Sequence, residues 1–286
     1  MDPSAELSEF LRTRRARLTP SDVGLPQYGH RRRVPGLRRE ELAQLAGVSV
    51  AYYTRLEQGN GRNVSAEVLD AIAAALQLSE TEHAHLVHLA KPTRSKRRSA
   101  SSRQQVRAGL LELLSAMDGV PAYIWGRRTD VLAWNRSASA LFGDWGQRAA
   151  EDRNWARVTF LDPLSRELFV DWDAKAADVV GQLRLDAGLH PRDPQVAALV
   201  GELSVRSDEF RELWAAHDVR RKSHGNMRLL NPVVGEISVR YETFALPGDQ
   251  ELSLSTYHAE PGSASEQGLR LLASWGTEPV AARRSD

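Results

Sequence analysis

The chain has 286 residues, 42 % of them hydrophobic, seven Trp, a formal net charge of +1 and no Cys. Its length fits two domains of ordinary size, its apolar content is enough for folded cores, and the lack of cysteine excludes disulfides, cysteine-based zinc sites and thiolate catalysis. No apolar run approaches the roughly 20 residues that a membrane-spanning helix needs, and the acidic start is unlike a signal peptide, so we expect a cytoplasmic protein.

Charge is distributed unevenly along the chain. Residues 1–90 carry 11 basic and 11 acidic side chains, whereas residues 91–107 carry 7 basic and no acidic ones. The stretch from Leu11 to Arg39 contains nine arginines and a single acid. Residues 108–286, with 20 basic and 26 acidic side chains, show no such excess. This asymmetry predicts a polyanionic partner for the N-terminal third alone.

The first ninety residues have the apolar spacing of helices, for example over residues 68–76. Ser79 and Glu82 fit a capping box, and Pro92 ends the last of five predicted helices. The polar, basic segment that follows has the composition of an exposed linker. The predicted organisation is an all-α domain over 1–91, a basic linker over 92–103 and a second domain over 104–286.

The second domain mixes helices with strands. Aromatic and β-branched runs at 122–125 and 130–134 predict one hairpin, and the runs at 236–246 and 251–260 predict a longer one. Strands that come in hairpin pairs favour an antiparallel sheet, so we predict an α+β fold. Helices are predicted over 104–117, 136–142, 171–187, 195–203, 207–217 and 264–275.

Residues 38–59, RREELAQLAGVSVAYYTRLEQG, combine the features of two helices joined by a sharp turn. Gly47 supplies the backbone conformation that the turn requires, and Ser49 is placed to cap the second helix. A plain helical hairpin would need no such combination. The residues that this arrangement is predicted to bury are Leu42, Leu45, Tyr53 and Leu56.

This segment resembles the phage-repressor (XRE) type of helix-turn-helix transcription regulator, in the variant with a long arginine-rich connection between its first two helices. The stretches ELAQLAGVS, YYTRLEQG and VLDAIAAAL fall in register, and the resemblance covers residues 6–90. It implies double-stranded DNA as a partner, a nucleoid-associated location, and a second helix that lies in the major groove. The base-reading residues it implies are Val50, Ala51, Tyr52, Thr54 and Arg55.

Arg55 is the sharpest candidate, because a guanidinium can hold guanine O6 and N7 with two hydrogen bonds. A phosphate contact or an intrahelical pair is the alternative. Glu57 is expected to pair with Arg38 or Arg39, since an unpaired acid there would repel phosphate.

Affinity is expected to come from a set of residues that contact phosphate or enter the minor groove. Solvated surface charges are the alternative. The arginine run within residues 30–36 has the length and charge of a minor-groove arm. The candidates are Arg12, Arg14, Arg15, Arg17, Arg31, Arg32, Arg33, Arg38, Arg39, Ser49 and Arg62.

Residues 104–276 resemble the ligand-binding domain of the MmyB-like regulators, through DGVPAYIWGRRTDVLAWNRSASALFGDW, TFLDPLSRELFVDWD, LVGELSVRSDEFRELW and NPVVGEISVRYETF. The resemblance implies a PAS-like fold with a cavity for a small apolar ligand, fatty-acid-like molecules being the leading class. Asn231 departs from the His expected at that position, which puts the ligand chemistry in doubt.

The aromatic side chains of this domain are suited either to line such a cavity or to fill a core. Asn135, Arg184 and Arg220 are available as polar anchors. The candidate pocket residues are Tyr123, Trp134, Asn135, Phe160, Trp172, Arg184, Phe210 and Trp214.

Two other functions are alternatives to a ligand-responsive regulator. An enzyme domain would be expected to show a motif such as HExxH, GxSxG, a P-loop or GxGxxG, and the sequence contains none of them. We therefore expect neither catalysis nor a metal or cofactor. A C-terminal domain that only dimerises is the second alternative. The preferred hypothesis is a homodimeric regulator whose DNA binding responds to a small ligand.

Overall fold

A computed structural model describes residues 2–26, 36–61, 63–91, 104–191, 193–249 and 251–275. The chain forms two compact units, each of which is discontinuous in sequence. The first consists of Met1–Ala100, Arg184–Gly201 and Glu212–Arg221; the second consists of Ser101–Leu183, Glu202–Arg211 and Lys222–Asp286. Two stretches that follow the basic linker therefore belong to the first unit, whereas the sequence pattern suggested an uninterrupted division at the linker.

The N-terminal part of the first unit is helical, and the five predicted helices are confirmed. Ser79 and Glu82 form the predicted capping box, with Glu82 N donating to Ser79 Oγ at 3.3 Å and Ser79 N donating to Glu82 Oε2 at 2.8 Å. The core of this unit includes Leu7, Phe10, Leu69 and Leu86, and Val219 joins it from the stretch Glu212–Arg221. The helices are α1 (Pro3–Arg17), α2 (Arg39–Leu45), α3 (Val50–Glu57), α4 (Ala66–Ala75) and α5 (Glu80–Ala90).

The turn between α2 and α3 has the predicted geometry. Gly47 adopts a left-handed conformation with φ of +65°, which glycine tolerates without steric cost. The backbone N–H of Val48 donates to the carbonyl of Ala43 at 3.0 Å and closes the turn. Leu42 is buried as expected, but Leu45 is 36 % exposed, so its predicted burial is wrong. The seven-residue α2 buries only a narrow face, formed by Leu42 and Ala43.

The second unit contains a five-stranded antiparallel sheet with strand order β2-β1-β5-β4-β3. This confirms the predicted α+β class and both predicted hairpin pairs of strands. The strand β3 was not predicted, because HGNMRLLN is mostly polar in its first half and only two of its eight residues are buried. The strands are β1 (Ala122–Trp125), β2 (Val131–Trp134), β3 (His224–Asn231), β4 (Gly235–Ala245) and β5 (Ser253–His258).

The remaining helices follow the predicted order with two additions, α8 and α9. Both additions are short, seven and five residues, so their apolar periodicity is weak in the sequence. Along the chain, α10, α11 and α12 each contribute residues to both units. The helices are α6 (Ala108–Ala116), α7 (Arg136–Phe142), α8 (Trp155–Leu161), α9 (Leu164–Leu168), α10 (Trp172–Leu189), α11 (Pro194–Arg206), α12 (Asp208–Ala215) and α13 (Ala264–Trp275).

Candidate DNA-binding surface and ligand-binding region

The helix α3 separates its buried and exposed residues as a recognition helix requires. Ser49 caps it by accepting a hydrogen bond from the backbone N–H of Tyr52 at 3.2 Å. Tyr53 and Leu56 are buried, while Val50 is 41 % exposed and Arg55 is exposed. The remaining predicted base-reading residues are exposed, in the case of Ala51, or half-buried, in the case of Tyr52 and Thr54.

Arg55 lies beside an aromatic ring of its own helix. Its guanidinium carbon is 6.0 Å from the ring centroid of Tyr52, a distance at the limit of a cation–π contact. This contact leaves the hydrogen-bonding edge of the guanidinium accessible. The arrangement is compatible with two hydrogen bonds to a guanine.

Glu57 is a buried structural acid, as predicted. It pairs with Arg39 and lies 2.7 Å from Arg15 Nε, while the Tyr53 hydroxyl donates to it at 3.3 Å. Burial beside this carboxylate raises the pKa of Tyr53. Arg15 also donates to the carbonyl of Leu37 at 2.6 Å. Arg15 is thus largely used inside the domain, whereas Arg39 keeps 47 % of its side chain exposed.

Arg14 differs from the other arginines of α1 because its side chain is buried. Its Nε lies 2.7 Å from Glu82, and its Nη2 donates to the carbonyl of His217 at 2.8 Å. The guanidinium also stacks over the ring of Phe10 at 4.8 Å, and burial lowers its pKa. A buried, paired guanidinium cannot reach a phosphate, so we remove Arg14 from the set of DNA contacts.

The other candidate phosphate contacts vary in accessibility. Arg12 is exposed and pairs with Glu9 one turn earlier on α1. Arg17 is partly exposed and pairs with Asp218 at 2.6 Å. Arg38 is exposed, and its backbone N–H donates to Glu41 where α2 begins. The predicted contacts that lie outside the described residues are Arg31, Arg32, Arg33 and Arg62.

Arg184, a predicted polar anchor, belongs to the first unit, where it is buried and paired. It is 1 % exposed, pairs with Glu6 at 2.7 Å and stacks 3.9 Å from the ring centroid of Trp214. Burial, together with the nearby charges of Arg184 and Arg14, lowers the pKa of His217 to about 4 and that of His85 to about 3. Arg184 and Trp214 therefore belong to the first unit, whereas the other predicted pocket residues belong to the second. No local sequence pattern indicates these long-range contacts.

The second unit contains an aromatic cluster next to the sheet. Tyr123 is fully buried at its centre, and its hydroxyl donates to the Ala138 carbonyl at 3.2 Å and accepts from Trp145 Nε1 at 3.1 Å. Neighbouring ring centroids are 4.9 to 6.5 Å apart, the spacing of favourable edge and tilted contacts. The aromatic cluster comprises Tyr123, Trp125, Phe142, Trp145, Trp155, Phe169 and Tyr257.

Two lysines that sequence reasoning missed contact this cluster. Lys175 Nζ lies 4.6 Å from the ring centroid of Trp155 and 5.2 Å from that of Phe169. Lys222 Nζ lies 5.0 Å from the ring centroid of Trp125 and donates to the hydroxyl of Tyr257 at 2.9 Å. Desolvation lowers the pKa of Lys175 to about 8 and that of Lys222 well below its usual value. Lysine is common on surfaces, so nothing in the sequence singled them out.

Asn135 has a structural role and is not a free polar anchor. Its Oδ1 accepts from the backbone N–H groups of Ala122 and Ala138, and its Nδ2 donates to the carbonyls of Met117 and Val120. These four hydrogen bonds, 2.7 to 3.1 Å long, use the whole side-chain amide. Its predicted place among the ligand contacts is therefore withdrawn.

Two other predicted pocket residues of the second unit, Trp172 and Phe210, pack against Phe160. Its ring centroid lies 5.8 Å from that of Trp172 and 5.2 Å from that of Phe210. Trp172 Nε1 donates to the Thr159 carbonyl at 3.2 Å. Trp134 is half-buried, with the guanidinium of Arg153 5.2 Å from its ring centroid. These contacts suit a core as well as a pocket wall.

Asn231, which stands where the resemblance leads us to expect His, also has a local role. It is 4 % exposed, and its Oδ1 accepts from the backbone N–H of Val233 at 2.9 Å. Its Nδ2 donates to the carbonyls of Ala140 and Leu141 at 3.2 and 3.3 Å. The side chain thus ties the turn after β3 to α7.

The described residues contain neither a metal-ligating cluster nor a membrane-spanning helix. Within them, no group of three or more His, Asp or Glu side chains is arranged to hold a metal ion. Across the same residues, no helix is both long and apolar enough to cross a membrane.

Comparison with known families agrees with both resemblances. The family described as MmyB-like transcription regulator ligand binding domain matches residues 106–272, which is more than half of the chain. A helix-turn-helix domain family matches residues 6–86. No curated protein matches the chain. The chain therefore belongs to the MmyB-like family of helix-turn-helix transcription regulators.

Proposed function

We propose that the protein is a sequence-specific regulator that reads DNA with α3 and whose C-terminal domain binds a small, fatty-acid-like apolar ligand. It acts by binding and not by catalysis. In this proposal the protein works as a homodimer on chromosomal DNA.

The observation that carries the DNA part is the division of α3 into two faces. Tyr53 and Leu56 hold the helix in the core, so Val50, Ala51 and Arg55 are presented on a rigid support. In domains of this kind the N-terminal half of the second helix enters the major groove. Val50 and Ala51 can offer apolar contact to a thymine methyl group, and Arg55 can recognise guanine.

The oligomeric part of the proposal follows from groove geometry. Two α3 helices of a dimer reach successive major grooves when the half-sites are separated by about one helical turn of 10 to 10.5 base pairs. A ligand changes DNA affinity only if it binds the two arrangements of the dimer with different affinity. Ligand binding would therefore change the separation or orientation of the α3 helices.

Selection of binding sites from a random DNA library, followed by anisotropy titrations, tests the DNA part. Arg55→Ala is expected to cost about 1 to 3 kcal/mol on the selected site and to relax the preference at one base pair. Arg55→Lys retains the charge but not the two-pronged hydrogen bonding, so it should lose most of the same preference. Arg270→Ala, on an exposed arginine of α13, is the charge-matched control. Unchanged selectivity in Arg55→Ala would remove Arg55 as a base reader.

Titration of saturated fatty acids into the protein–DNA complex tests the ligand part. A change in DNA affinity that saturates with ligand is expected. A C-terminal domain that serves only for dimerisation predicts no response to any apolar acid, with the dimer and its DNA affinity intact. Sedimentation of the full chain, with and without DNA, establishes whether the active species is a dimer.

A further inference from the structure

Several hydrogen-bond donors border the aromatic cluster. Lys175 and Lys222 supply ammonium groups, and the indole N–H groups of Trp125 and Trp155 are buried with no acceptor among the described residues. A buried donor without an acceptor costs about 1 to 3 kcal/mol, so such groups are rare in the cores of native proteins. Two of them beside two lysines need an explanation.

No carboxylate of the described residues forms an ion pair with either lysine. Lys222 has the Tyr257 hydroxyl as its hydrogen-bond partner, and the nearby charge of Asp178 acts favourably on both lysines. Each lysine is also close enough to affect the other, because the charge of Lys175 contributes to the lowered pKa of Lys222. Within the described residues, two lysines therefore face the charge of Asp178 without an ion pair to it.

Both lysines combine partial exposure of the side chain with close packing by protein atoms. Their side chains are half-buried, yet protein atoms surround the ammonium groups closely enough to desolvate them. The neighbouring Phe142 is likewise half-buried, whereas Trp155 and Phe169 are fully enclosed. Aromatic walls with a few convergent polar groups are the usual lining of a small-molecule site.

We propose that Lys175 and Lys222, together with the indole N–H groups of Trp125 and Trp155, bind the carboxylate of a small apolar acid within the aromatic cluster. A carboxylate accepts up to four hydrogen bonds and carries a charge opposite to that of the two lysines. The aromatic rings hold the apolar body of the ligand. This inference rests on the proposed ligand-binding function and assigns its charge-recognising residues.

An aliphatic and an aromatic acid share this chemistry, so the test uses one probe of each kind with a neutral partner. The probes are decanoate against decanol, and 4-phenylbutyrate against 4-phenylbutanamide. Calorimetry and thermal shift on the full chain without DNA measure binding. We expect the acid of at least one pair to bind at least about tenfold more tightly than its neutral partner. The acid that binds more tightly shows whether the apolar part of the ligand is aliphatic or aromatic.

Lys222→Met and Lys175→Met remove the positive charges while keeping similar volume. Each is expected to weaken binding of the preferred acid about ten- to a hundredfold and to leave the neutral partner unaffected. Trp125→Phe, which removes an indole N–H, is expected to have a smaller effect of the same sign. Lys91→Met, on an exposed lysine of the first unit, is the control and should bind like the wild type.

Three outcomes would overturn the inference. Equal binding of acid and neutral probes, or wild-type acid affinity in both lysine variants, removes the carboxylate site but leaves a ligand-binding domain. Binding of none of the four probes at millimolar concentration counts against the proposed ligand-binding function as well. If the lysines serve only to stabilise the rings, the variants will instead lower the melting temperature of the free protein without changing acid affinity.

Discussion

At the scale of single residues, the second unit keeps positive charges in a place that reduces its own stability. The pKa of Lys175 is lowered to about 8 from an ordinary 10.5, because burial outweighs the opposing effect of Asp178. Lys222 adds a second positive charge to the same region. A depressed lysine pKa means that the protonated side chain is less favourable in the folded than in the unfolded state. Groups retained at such a cost are commonly functional.

The pH dependence of Lys175→Met follows from this shift. Between about pH 8 and pH 10.5 the unfolded chain binds more protons at this position, so the contribution of Lys175 to stability rises with pH. Below pH 8 the free-energy cost of burying the protonated Lys175 side chain is fully present. Lys175→Met should therefore raise the free energy of unfolding at pH 7 by about 1 to 3 kcal/mol and have less effect near pH 10. Urea unfolding at the two pH values, with Lys91→Met as control, measures the difference. A variant less stable than the wild type at pH 7 would contradict the prediction.

A second residue-scale prediction concerns the buried Arg14. Replacing it with Met removes the partner of Glu82 at 2.7 Å, while Asp218 loses a contact at 3.3 Å but keeps Arg17. Breaking such a buried pair is expected to cost about 3 to 5 kcal/mol of unfolding free energy. Arg12→Met removes an equal charge from an exposed position of the same helix and should cost under about 1 kcal/mol. Chemical denaturation of both variants decides whether Arg14 is structural.

At the scale of elements, the support of α3 depends on close backbone approaches. Gly59 follows α3 with φ of +88°, and a Cβ added there would overlap the carbonyl of Ser4 at the start of α1. The turn after the recognition helix is thus tied to the first helix of the domain, which limits movement of α3. Rigid placement of this kind is what a base-reading helix requires.

Gly59→Ala is therefore expected to destabilise the protein by more than 1 kcal/mol, since both the left-handed backbone and the contact with Ser4 become strained. Gly201→Ala is the matched control, because Gly201 lies inside α11 with open space around its Cα. That control is expected to be neutral or stabilising by up to about 1 kcal/mol. Melting temperatures and DNA anisotropy of the two variants check the prediction; equal stability would show that the turn adapts.

At the scale of the whole molecule, the structure reduces the number of arginines available to DNA. Arg14 is buried and Arg15 is mostly enclosed, while Arg12, Arg17, Arg38, Arg39 and Arg55 keep accessible guanidinium groups. Each phosphate contact contributes about −0.9 to the slope of log affinity against log salt concentration. The magnitude of this salt slope therefore measures how many arginines contact DNA phosphates.

Arg38→Ala is expected to weaken binding to all DNA sequences and to reduce the magnitude of the salt slope by about 1 per protomer. Arg14→Met, assayed where it remains folded, is expected to leave the slope unchanged because its guanidinium does not reach the surface. Anisotropy titrations over a range of salt concentrations measure both slopes. A reduced slope in Arg14→Met would return Arg14 to the set of phosphate contacts.

The sequence by itself determined the local features of this protein. Gly47, Ser49 and the apolar positions of α3 define the helix-turn-helix, because a turn, a cap and a buried stripe are each encoded by neighbouring residues. The strand pairs of the sheet were predictable for the same reason, since hairpins bring together residues that are close along the chain. Family resemblance extended these local features to the MmyB-like domain.

Only the tertiary structure decided which charged and polar side chains are free to act. Arg14, Arg184 and Asn135 looked like contacts for DNA or ligand, but they are used inside the fold by partners that are distant in sequence or are backbone groups. Lys175 and Lys222 looked ordinary, but folding places both beside the same aromatic rings. Burial and long-range pairing depend on packing between segments far apart in the chain, and no local pattern encodes them.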